Sequence, residues 1–357
     1  MGNPPDFGTL DDWSDLAELG WDSLLLGNGF SINISPRFEY ESLFAEADFK
    51  GGLSAEDRAI FEVFDSRNFE VALAKLRDAI VLAEALELDP DSYKDHFRSI
   101  QTALGQTIRK VHLSGREVPT TTLATVQRAF LSHRRVFTTS YDLLAYWAIS
   151  HENGYNRFCD CFWANDRNEF DPDDCAVKAQ RPIYYLHGAL HLVVGGSGTT
   201  RKLTRADLRR GENQILDRFG KTDGSDPEAR PLLVSEGSSR DKLRVIEGND
   251  YLAHVYEQLK RDSGPLVIFG HSLGEQDRHL IEAIVSTPGR RVAISMLPKS
   301  KERLRAGQVR IWSMLQEQNI YFYDATSHPL GAPQLRITSP RRRPVTSRPR
   351  RRELRPG

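Results

Sequence analysis

Short apolar runs that end in glycine, hydroxyl or charged residues recur along the chain and have the length of buried strands. They lie at residues 24–26 (LLL), 136–140 (VFTTS), 182–186 (PIYYL), 232–234 (LLV), 266–269 (LVIF), 292–296 (VAISM) and 320–324 (IYFYD). Apolar residues recur every three or four positions, as on one face of a helix, at residues 41–133, 142–150, 241–261, 276–285 and 301–316. Strands that alternate with helices predict an α/β fold, with a Rossmann-like parallel sheet covered by helices on both faces.

The helical stretch at residues 41–133 lies between the first two strands and predicts a helical insertion after the first strand. It belongs to a predicted Rossmann-type domain at residues 21–330, which follows an N-terminal lead at residues 1–20. In open parallel sheets, ligands bind at the carboxyl ends of the strands, beside the point where the strand order switches. The candidate site residues are therefore those that directly follow the strands.

The end of the chain, residues 331–357, is basic and predicts a disordered tail. Residues 341–357 contain eight Arg and one Glu, a charge of +7, which leaves −8 for residues 1–340 because the net charge is −1. Such a tail could contact nucleic acid or another acidic partner through its positive charge. A solvated tail without a partner is the alternative.

The composition is that of a folded globular protein, with 39% hydrophobic and 27% charged residues among 357. No apolar run reaches the roughly 18 residues of a membrane span, and the start, MGNPPDFGTLDDW, lacks a secretory signal. We therefore expect a cytoplasmic protein that does not enter a membrane. The odd count of three cysteines, Cys159, Cys161 and Cys175, predicts free thiols in a reducing compartment. Their spacing lacks the paired CxxC pattern of zinc sites, so we expect no metal.

A glycine motif, Gly27-Asn28-Gly29-Phe30-Ser31, directly follows the first predicted strand. Glycines at a strand-to-helix turn leave backbone amides exposed, and the amino-terminal end of the next helix attracts phosphate. The motif departs from G-x-G-x-x-G because its third glycine is missing. An ordinary turn is therefore the alternative to a phosphate-binding loop.

A run of hydroxyl residues and a carboxylate, with Thr139, Ser140 and Asp142, follows the second strand. These groups could bind a ribose or orient a water molecule. Equally, Thr or Ser could cap the next helix, with Asp142 favouring its positive end. Either interpretation places the three residues at the edge of the sheet.

His187 stands between a strand and a glycine, where its imidazole would project into the crevice at the strand ends. There it could accept a proton near pH 7. A structural histidine with its hydrogen bonds satisfied inside the fold is the alternative.

The sequence Gly270-His271-Ser272-Leu273-Gly274, followed by Asp277, allows two interpretations. As a G-x-S-x-G nucleophile elbow it would make Ser272 the nucleophile of a serine esterase, with Asp324 and His328 completing a triad. Against this, Glu275 follows the elbow where a small residue is usual. The second interpretation is a glycine turn in which Ser272 and Asp277 contact a nucleotide or cap a helix.

Taken in order, the segments LLLGNGFS, FTTSYD, YYLHG and VIFGHSLGEQD resemble the motifs of bacterial sirtuin-like proteins over about residues 20–330. The resemblance implies a Rossmann-type domain that binds NAD. It assigns Gly27, Gly29 and Ser31 to the phosphates, and Ser140 and Asp142 to the nicotinamide ribose or a water. By the same resemblance His187 is the base, and Gly270 and Ser272 contact the adenosine side.

The chain departs from that family at Ser140, where the catalytic residue is Asn, and it lacks the four-cysteine zinc module of the deacetylases. A hydroxyl holds a water less rigidly than an amide with separate donor and acceptor ends. The resemblance to zinc-free members implies hydrolysis of NAD to nicotinamide and ADP-ribose, a role in antiphage defence and assembly into a homo-oligomer. A non-catalytic nucleotide sensor or scaffold is the alternative.

Overall fold

The computed structural model describes residues 6–49, 52–162, 168–176, 180–204, 230–234 and 238–337. Its strands are β1 Ser23–Leu26, β2 Arg135–Thr138, β3 Phe158–Cys159, β4 Arg181–Tyr185, β5 Gly188–Val194, β6 Thr200–Lys202, β7 Arg230–Leu233, β8 Leu266–Phe269, β9 Arg291–Met296 and β10 Asn319–Asp324. Its helices are α1 Trp13–Ala17, α2 Asn28–Ile34, α3 Tyr40–Phe49, α4 Ala55–Val63, α5 Phe69–Ala85, α6 Asp91–Val111, α7 Thr120–Leu131, α8 Leu144–Ser150, α9 Ser239–Glu247, α10 Asp250–Arg261, α11 Arg278–Val285 and α12 Lys301–Met314.

The main sheet has the strand order β10-β9-β8-β1-β2-β4-β3, and its paired strands are all parallel. Without the two-residue edge strand β3, this is the Rossmann order, in which the chain reverses direction across the sheet beside its first strand. The apolar run of β1 is fully buried because helices cover both faces of the sheet. The predicted α/β fold with a Rossmann-like sheet is confirmed.

A second sheet, with the order β6-β5-β7, is antiparallel and was not predicted. The run at residues 232–234, expected in the parallel sheet, pairs here through β7. Only Leu186 and His187 separate β4 from β5, and Gly188 turns the chain with a φ of +76°. A parallel return needs a crossover of a dozen or more residues, so β5 cannot be the next parallel strand. Because β4 already pairs with β2 and β3, β5 lies in the second sheet.

The helical segment at residues 41–133 divides between two hydrophobic clusters. Helices α3 to α6 bury residues such as Leu73 and Ile100 in a second cluster, which also includes residues of β5. Helix α7 instead buries Val126 and Phe130 in the main core, where Phe130 packs against Phe30 of α2 at 6.1 Å. Helices α3 to α6 therefore lie outside the main core and share their cluster with the second sheet.

Both ends of the described chain pack against the main core. Near the start, Trp13 contacts Tyr323 of β10 with ring centroids 4.9 Å apart. At the other end, the backbone N–H of Ile337 donates to Ile34 at 2.7 Å, and Leu335 is buried. The predicted tail boundary at residue 331 is therefore wrong, because these contacts hold the chain through residue 337. The arginine-rich residues 338–357 lie outside the described ranges.

The prediction of three free thiols is also wrong. Cys161 and Cys175 form a disulfide, and Cys159 remains as a buried free thiol. The chain returns to Cys161 because the N–H of Asp171 donates to its carbonyl at 3.0 Å, a contact that the spacing of the cysteines does not reveal. The cysteines therefore no longer support a reducing compartment. Among the helices of the described ranges, none combines the length and the apolar composition needed to cross a bilayer.

Candidate functional site

The two glycine motifs meet at the carboxyl ends of the neighbouring strands β1 and β8, where the strand order switches. The N–H of Gly29 donates to the carbonyl of Gly270 at 2.8 Å. A Cβ on Gly27 would lie 2.5 Å from the same carbonyl, and one on Gly29 would lie 2.7 Å from it. Gly270 has a φ of +68°, and its Cβ would lie 2.5 Å from the nitrogen of Phe30. The glycines therefore allow two loops to touch, a role that sequence analysis did not foresee.

A cleft of about 900 Å³ opens on one side of this loop contact, and we call it the large cleft. Eight predicted site residues line it: Asn28, Gly29, Thr139, Ser140, His187, Gly270, Ser272 and Asp277. Residues missed by sequence analysis also line it, among them Asn68, Glu70, Lys242 and His271. The structure thus brings all four motifs to one place. Asn68 and Glu70 come from the start of α5, so the helical insertion forms part of the wall.

A second cleft, of about 770 Å³, lies on the other side of the same loops. It shares Gly29, Gly270, His271 and Ser272 with the first, and extends along the ends of β9 and β10. There it is lined by residues that sequence analysis missed, including Ser295, Lys299 and Thr326. The two glycine loops therefore form a saddle between two compartments, the position at which Rossmann folds bind dinucleotides.

Three predicted site residues do not line the large cleft: Gly27, Ser31 and Asp142. The carboxylate of Asp142 accepts hydrogen bonds from the hydroxyls of Ser31 and Ser140, the latter at 2.5 Å. The hydroxyl oxygens of Ser31 and Ser140 are 3.0 Å apart. The second oxygen of Asp142 accepts from the N–H of Leu144, at the start of α8, at 2.7 Å. Asp142 therefore lies behind Ser140 and holds its hydroxyl, as well as capping a helix.

A buried lysine pairs with Asp277 in the wall of the large cleft. The Nζ of Lys242, which is 2% exposed, lies 3.0 Å from Oδ1 of Asp277 and 3.8 Å from Oε2 of Glu70. Burial alone would raise the pKa of Asp277, but the charge of Lys242, aided by His187 and His271, lowers it to about 2. Asp277 is therefore ionised near neutral pH, and its carboxylate holds α9 against the turn that begins α11.

His187 lies in the cleft with a second histidine behind it. Its Nε2 is 3.1 Å from Nε2 of His279, and Nδ1 of His279 is 3.0 Å from the hydroxyl of Ser239. Burial, reinforced by the charge of Lys242, holds the pKa of His187 well below its ordinary value. Burial also lowers the pKa of His279 to about 4, although Asp277 opposes this change. Both imidazoles are therefore neutral near pH 7.

His187, Asp277 and His279 place nitrogen and oxygen atoms within 4.8 Å of one another, as metal ligands would. The ammonium of Lys242 already supplies positive charge at Asp277. A second such group joins Cys161 and Cys175 to His254, but its two sulfurs form the disulfide. In the first group the carboxylate of Asp277 is therefore already paired with a cation, and in the second group the two sulfurs are bonded to each other.

The geometry around Ser272 does not support the serine esterase interpretation. A nucleophile elbow strains the serine itself, whereas here the positive φ angles fall on Gly270 and Leu273. The proposed partners are also occupied. Nδ1 of His328 accepts from Leu330 at 3.1 Å, and Asp324 caps the turn at Thr326 at 2.8 Å. Ser272 is exposed and lines both clefts.

The strand order and the paired clefts define a Rossmann-type α/β protein with its candidate site at the switch point of the sheet. The chain belongs to the family described as domain of unknown function DUF4917, which matches residues 24–330. This match covers the main sheet except Ser23 of β1, and all residues that line the two clefts except Gly331. The comparison with curated proteins found no match.

Proposed function

We propose that the chain binds NAD across the two clefts and hydrolyses it to nicotinamide and ADP-ribose. The observation that carries the proposal is the meeting of four motifs, from Gly29, Ser140, His187 and Gly270, around one cleft at the switch point. The glycine loops lie midway between the compartments, where the phosphates of a dinucleotide would lie. The motif resemblance assigns the nicotinamide side to the compartment with Ser140 and His187.

The reaction breaks the bond between the nicotinamide nitrogen and the ribose carbon, and the electron pair leaves with nicotinamide. Water then attacks the ribose carbon, which has oxocarbenium character, and gives up one proton. His187 is neutral near pH 7 and accepts this proton. The carboxylate of Asp142 lies directly behind Ser140 and favours developing positive charge. The products are nicotinamide, ADP-ribose and a proton.

A second candidate function, that of a nucleotide sensor without turnover, is favoured by the hydrogen bonds of Ser140. Its hydroxyl donates to Asp142 at 2.5 Å and lies 3.0 Å from Ser31. It retains the ability to accept a hydrogen bond from a ribose hydroxyl, but its proton is engaged. Such a group binds a ribose more readily than it orients an attacking water.

The test is to incubate the purified protein with NAD and to quantify free nicotinamide and ADP-ribose by chromatography. We expect release by the wild type and at least a roughly 100-fold lower rate for His187→Ala. His254→Ala is the matched control, because His254 lies outside the cleft and should leave the rate unchanged. Calorimetry with ADP-ribose separates the two candidates: binding without nicotinamide release identifies a sensor, and neither binding nor release overturns both.

The cellular setting is a further part of the proposal and rests on the resemblance to bacterial sirtuin-like proteins. It comprises a cytoplasmic location, a role in antiphage defence and a homo-oligomeric state. The basic residues at the end of the chain would bind an acidic partner. Sedimentation of the full chain with and without NAD tests the oligomeric state.

A further inference from the structure

We infer that His279 is a positioning residue for His187 and that Ser239, His279 and His187 form a hydrogen-bond chain that sets the tautomer of the base. The inference rests on the proposed function, in which His187 accepts the proton of the attacking water. No motif pointed to His279 or Ser239. His279 is the second residue of α11, and Ser239 is the first residue of α9.

The three residues are held in line by the packing of α9 against α11. His187 and His279 are 5% and 1% exposed, and their Nε2 atoms are 3.1 Å apart. The hydroxyl of Ser239 accepts the backbone N–H of His279 at 2.7 Å and lies 3.0 Å from its Nδ1. Tyr256 fixes the same turn by donating its hydroxyl to the carbonyl of His279 at 2.8 Å. The position of the second imidazole is therefore determined at its backbone and at its ring.

This geometry decides which nitrogen of His187 can act as a base. Its Nε2 faces His279, so a proton from the cleft must be taken up at Nδ1. That requires a lone pair on Nδ1, and hence a hydrogen on Nε2 of the neutral ring. The hydrogen is donated to Nε2 of His279, whose own hydrogen then lies on Nδ1 and is donated to Ser239. When the hydrogen bonds run from His187 through His279 to Ser239, Nδ1 of His187 is free to accept a proton. When they run in the opposite direction, the hydrogen of His187 lies on Nδ1 and blocks it.

Four other titratable groups surround the two imidazoles. Lys242 and Asp277 lie beside the two imidazoles, with His271 next to Asp277 and Glu70 next to Lys242. Lys242 opposes a positive charge on His187, whereas Asp277 favours it. Without His279, Nε2 of His187 would lose its acceptor, and the ring could carry its hydrogen on Nδ1, where it cannot accept a proton from water.

The experiment compares His279→Ala, His279→Gln and Ser239→Ala with wild type, and uses His254→Ala as control. We expect His279→Ala to lower kcat for NAD by about 10-fold to 100-fold, within the contribution of a positioned base. The Kd for ADP-ribose should change by less than about twofold, since His279 does not line the cleft. Gln offers an acceptor oxygen at a similar reach and should restore most of kcat. Ser239→Ala should give a smaller loss in the same direction.

Nitrogen-15 spectra of the histidine rings provide a readout that a merely structural role would not move. In the wild type, the neutral His187 ring should carry its hydrogen on Nε2, and His279→Ala should shift it toward Nδ1. An unchanged tautomer in His279→Ala, or an unchanged kcat, overturns the inference. If His279→Ala does not fold, Ser239→Ala with the same two readouts decides. If the wild type releases no nicotinamide, the proposed function fails, while the spectra still test the hydrogen-bond chain.

Discussion

Lys242 and Asp277 form an ion pair at 3.0 Å in the wall of the large cleft, although they are 35 positions apart in the chain. Their side chains are 3% and 11% exposed, so water compensates neither charge well. Glu70 of α5 approaches the same ammonium at 3.8 Å. One lysine therefore connects α9, the turn before α11 and the helical insertion at the place where a ligand would bind.

Replacing Lys242 should strongly destabilise the fold. Lys242→Met leaves the buried carboxylate of Asp277 without its cation, which costs about 3 to 5 kcal/mol in the free energy of unfolding. Urea denaturation at pH 7 measures this change. The double variant Lys242→Met with Asp277→Asn should recover much of the loss, since no charge then remains unpaired.

The matched control is Lys260→Met, which removes an exposed lysine whose Nζ lies 3.1 Å from Glu257. Such a surface pair contributes about 0 to 1 kcal/mol. Equal effects of the two substitutions would contradict a structural role for the buried pair.

The glycines of the saddle should be far less replaceable than a glycine of the same backbone conformation elsewhere. Gly270→Ala adds a Cβ 2.5 Å from the nitrogen of Phe30 at a φ of +68°. The backbone strain costs about 1 to 2 kcal/mol, and the overlap should add about 1 to 3 kcal/mol. Thermal denaturation and titration with ADP-ribose measure the effects on stability and binding.

Gly198→Ala measures the backbone strain alone. Gly198 has a φ of +85°, but a Cβ added there would have no neighbouring atom within 4 Å. It should cost only the backbone strain and leave ligand binding intact. A Gly270→Ala protein that is no less stable than Gly198→Ala would show that the two loops can move apart freely.

The disulfide should be detectable by counting thiols. In denatured, unreduced protein we expect one reactive thiol, Cys159, and after reduction all three cysteines. Closing a loop of about 15 residues stabilises a fold by about 3 kcal/mol in the chain-entropy view. Reduction, or Cys161→Ser, should lower the free energy of unfolding by that order.

Cys159→Ser is the control, because it leaves the disulfide in place. Burial, with Asp160 and Asp174 nearby, raises the pKa of the Cys159 thiol to about 12. It should therefore react slowly in the folded protein. Three reactive thiols in the unreduced, denatured protein would restore the original prediction of free cysteines.

The sequence predicts the main sheet well because its strands, apart from the two-residue edge strand β3, each carry their own apolar signal. The runs of β1 and β8 are apolar throughout, as strands covered on both faces must be. The glycines and His187 follow such runs directly, so parallel strands bring them to one edge. The second sheet gives a weaker signal, because β5 follows β4 without an intervening helix and β6 has only three residues.

The parts of the site that sequence analysis missed come from helices rather than strand ends. Lys242 belongs to the amphipathic helix α9, where a lysine is usually a solvated residue. Glu70 lies in the helical insertion. His279 lies within an apolar helical segment, where a histidine is readily interpreted as a structural core residue. Their convergence depends on how α5, α9 and α11 pack, which periodicity along one helix does not determine.

The buried imidazole of His328 should make stability depend on pH. Its ring packs against Trp13 at 4.5 Å and Phe269 at 5.0 Å, and its Nδ1 accepts from Leu330. Burial, with a smaller effect of His133, lowers its pKa from 6.5 to about 3. Above pH 6.5 the ring is neutral in both the folded and the unfolded state, so the pH has no effect through this group.

Below pH 6.5 His328 becomes protonated in the unfolded chain, whereas in the folded protein it stays neutral until about pH 3. The free energy of unfolding should therefore fall by about 2 kcal/mol between pH 6.5 and 4.5 through this group. His328→Asn keeps an acceptor for Leu330 but does not titrate. Its own destabilisation, from the lost ring contacts, should be independent of pH. Urea denaturation of both proteins at pH 7.5 and 4.5 measures the difference, and equal losses in the two would contradict a neutral buried His328.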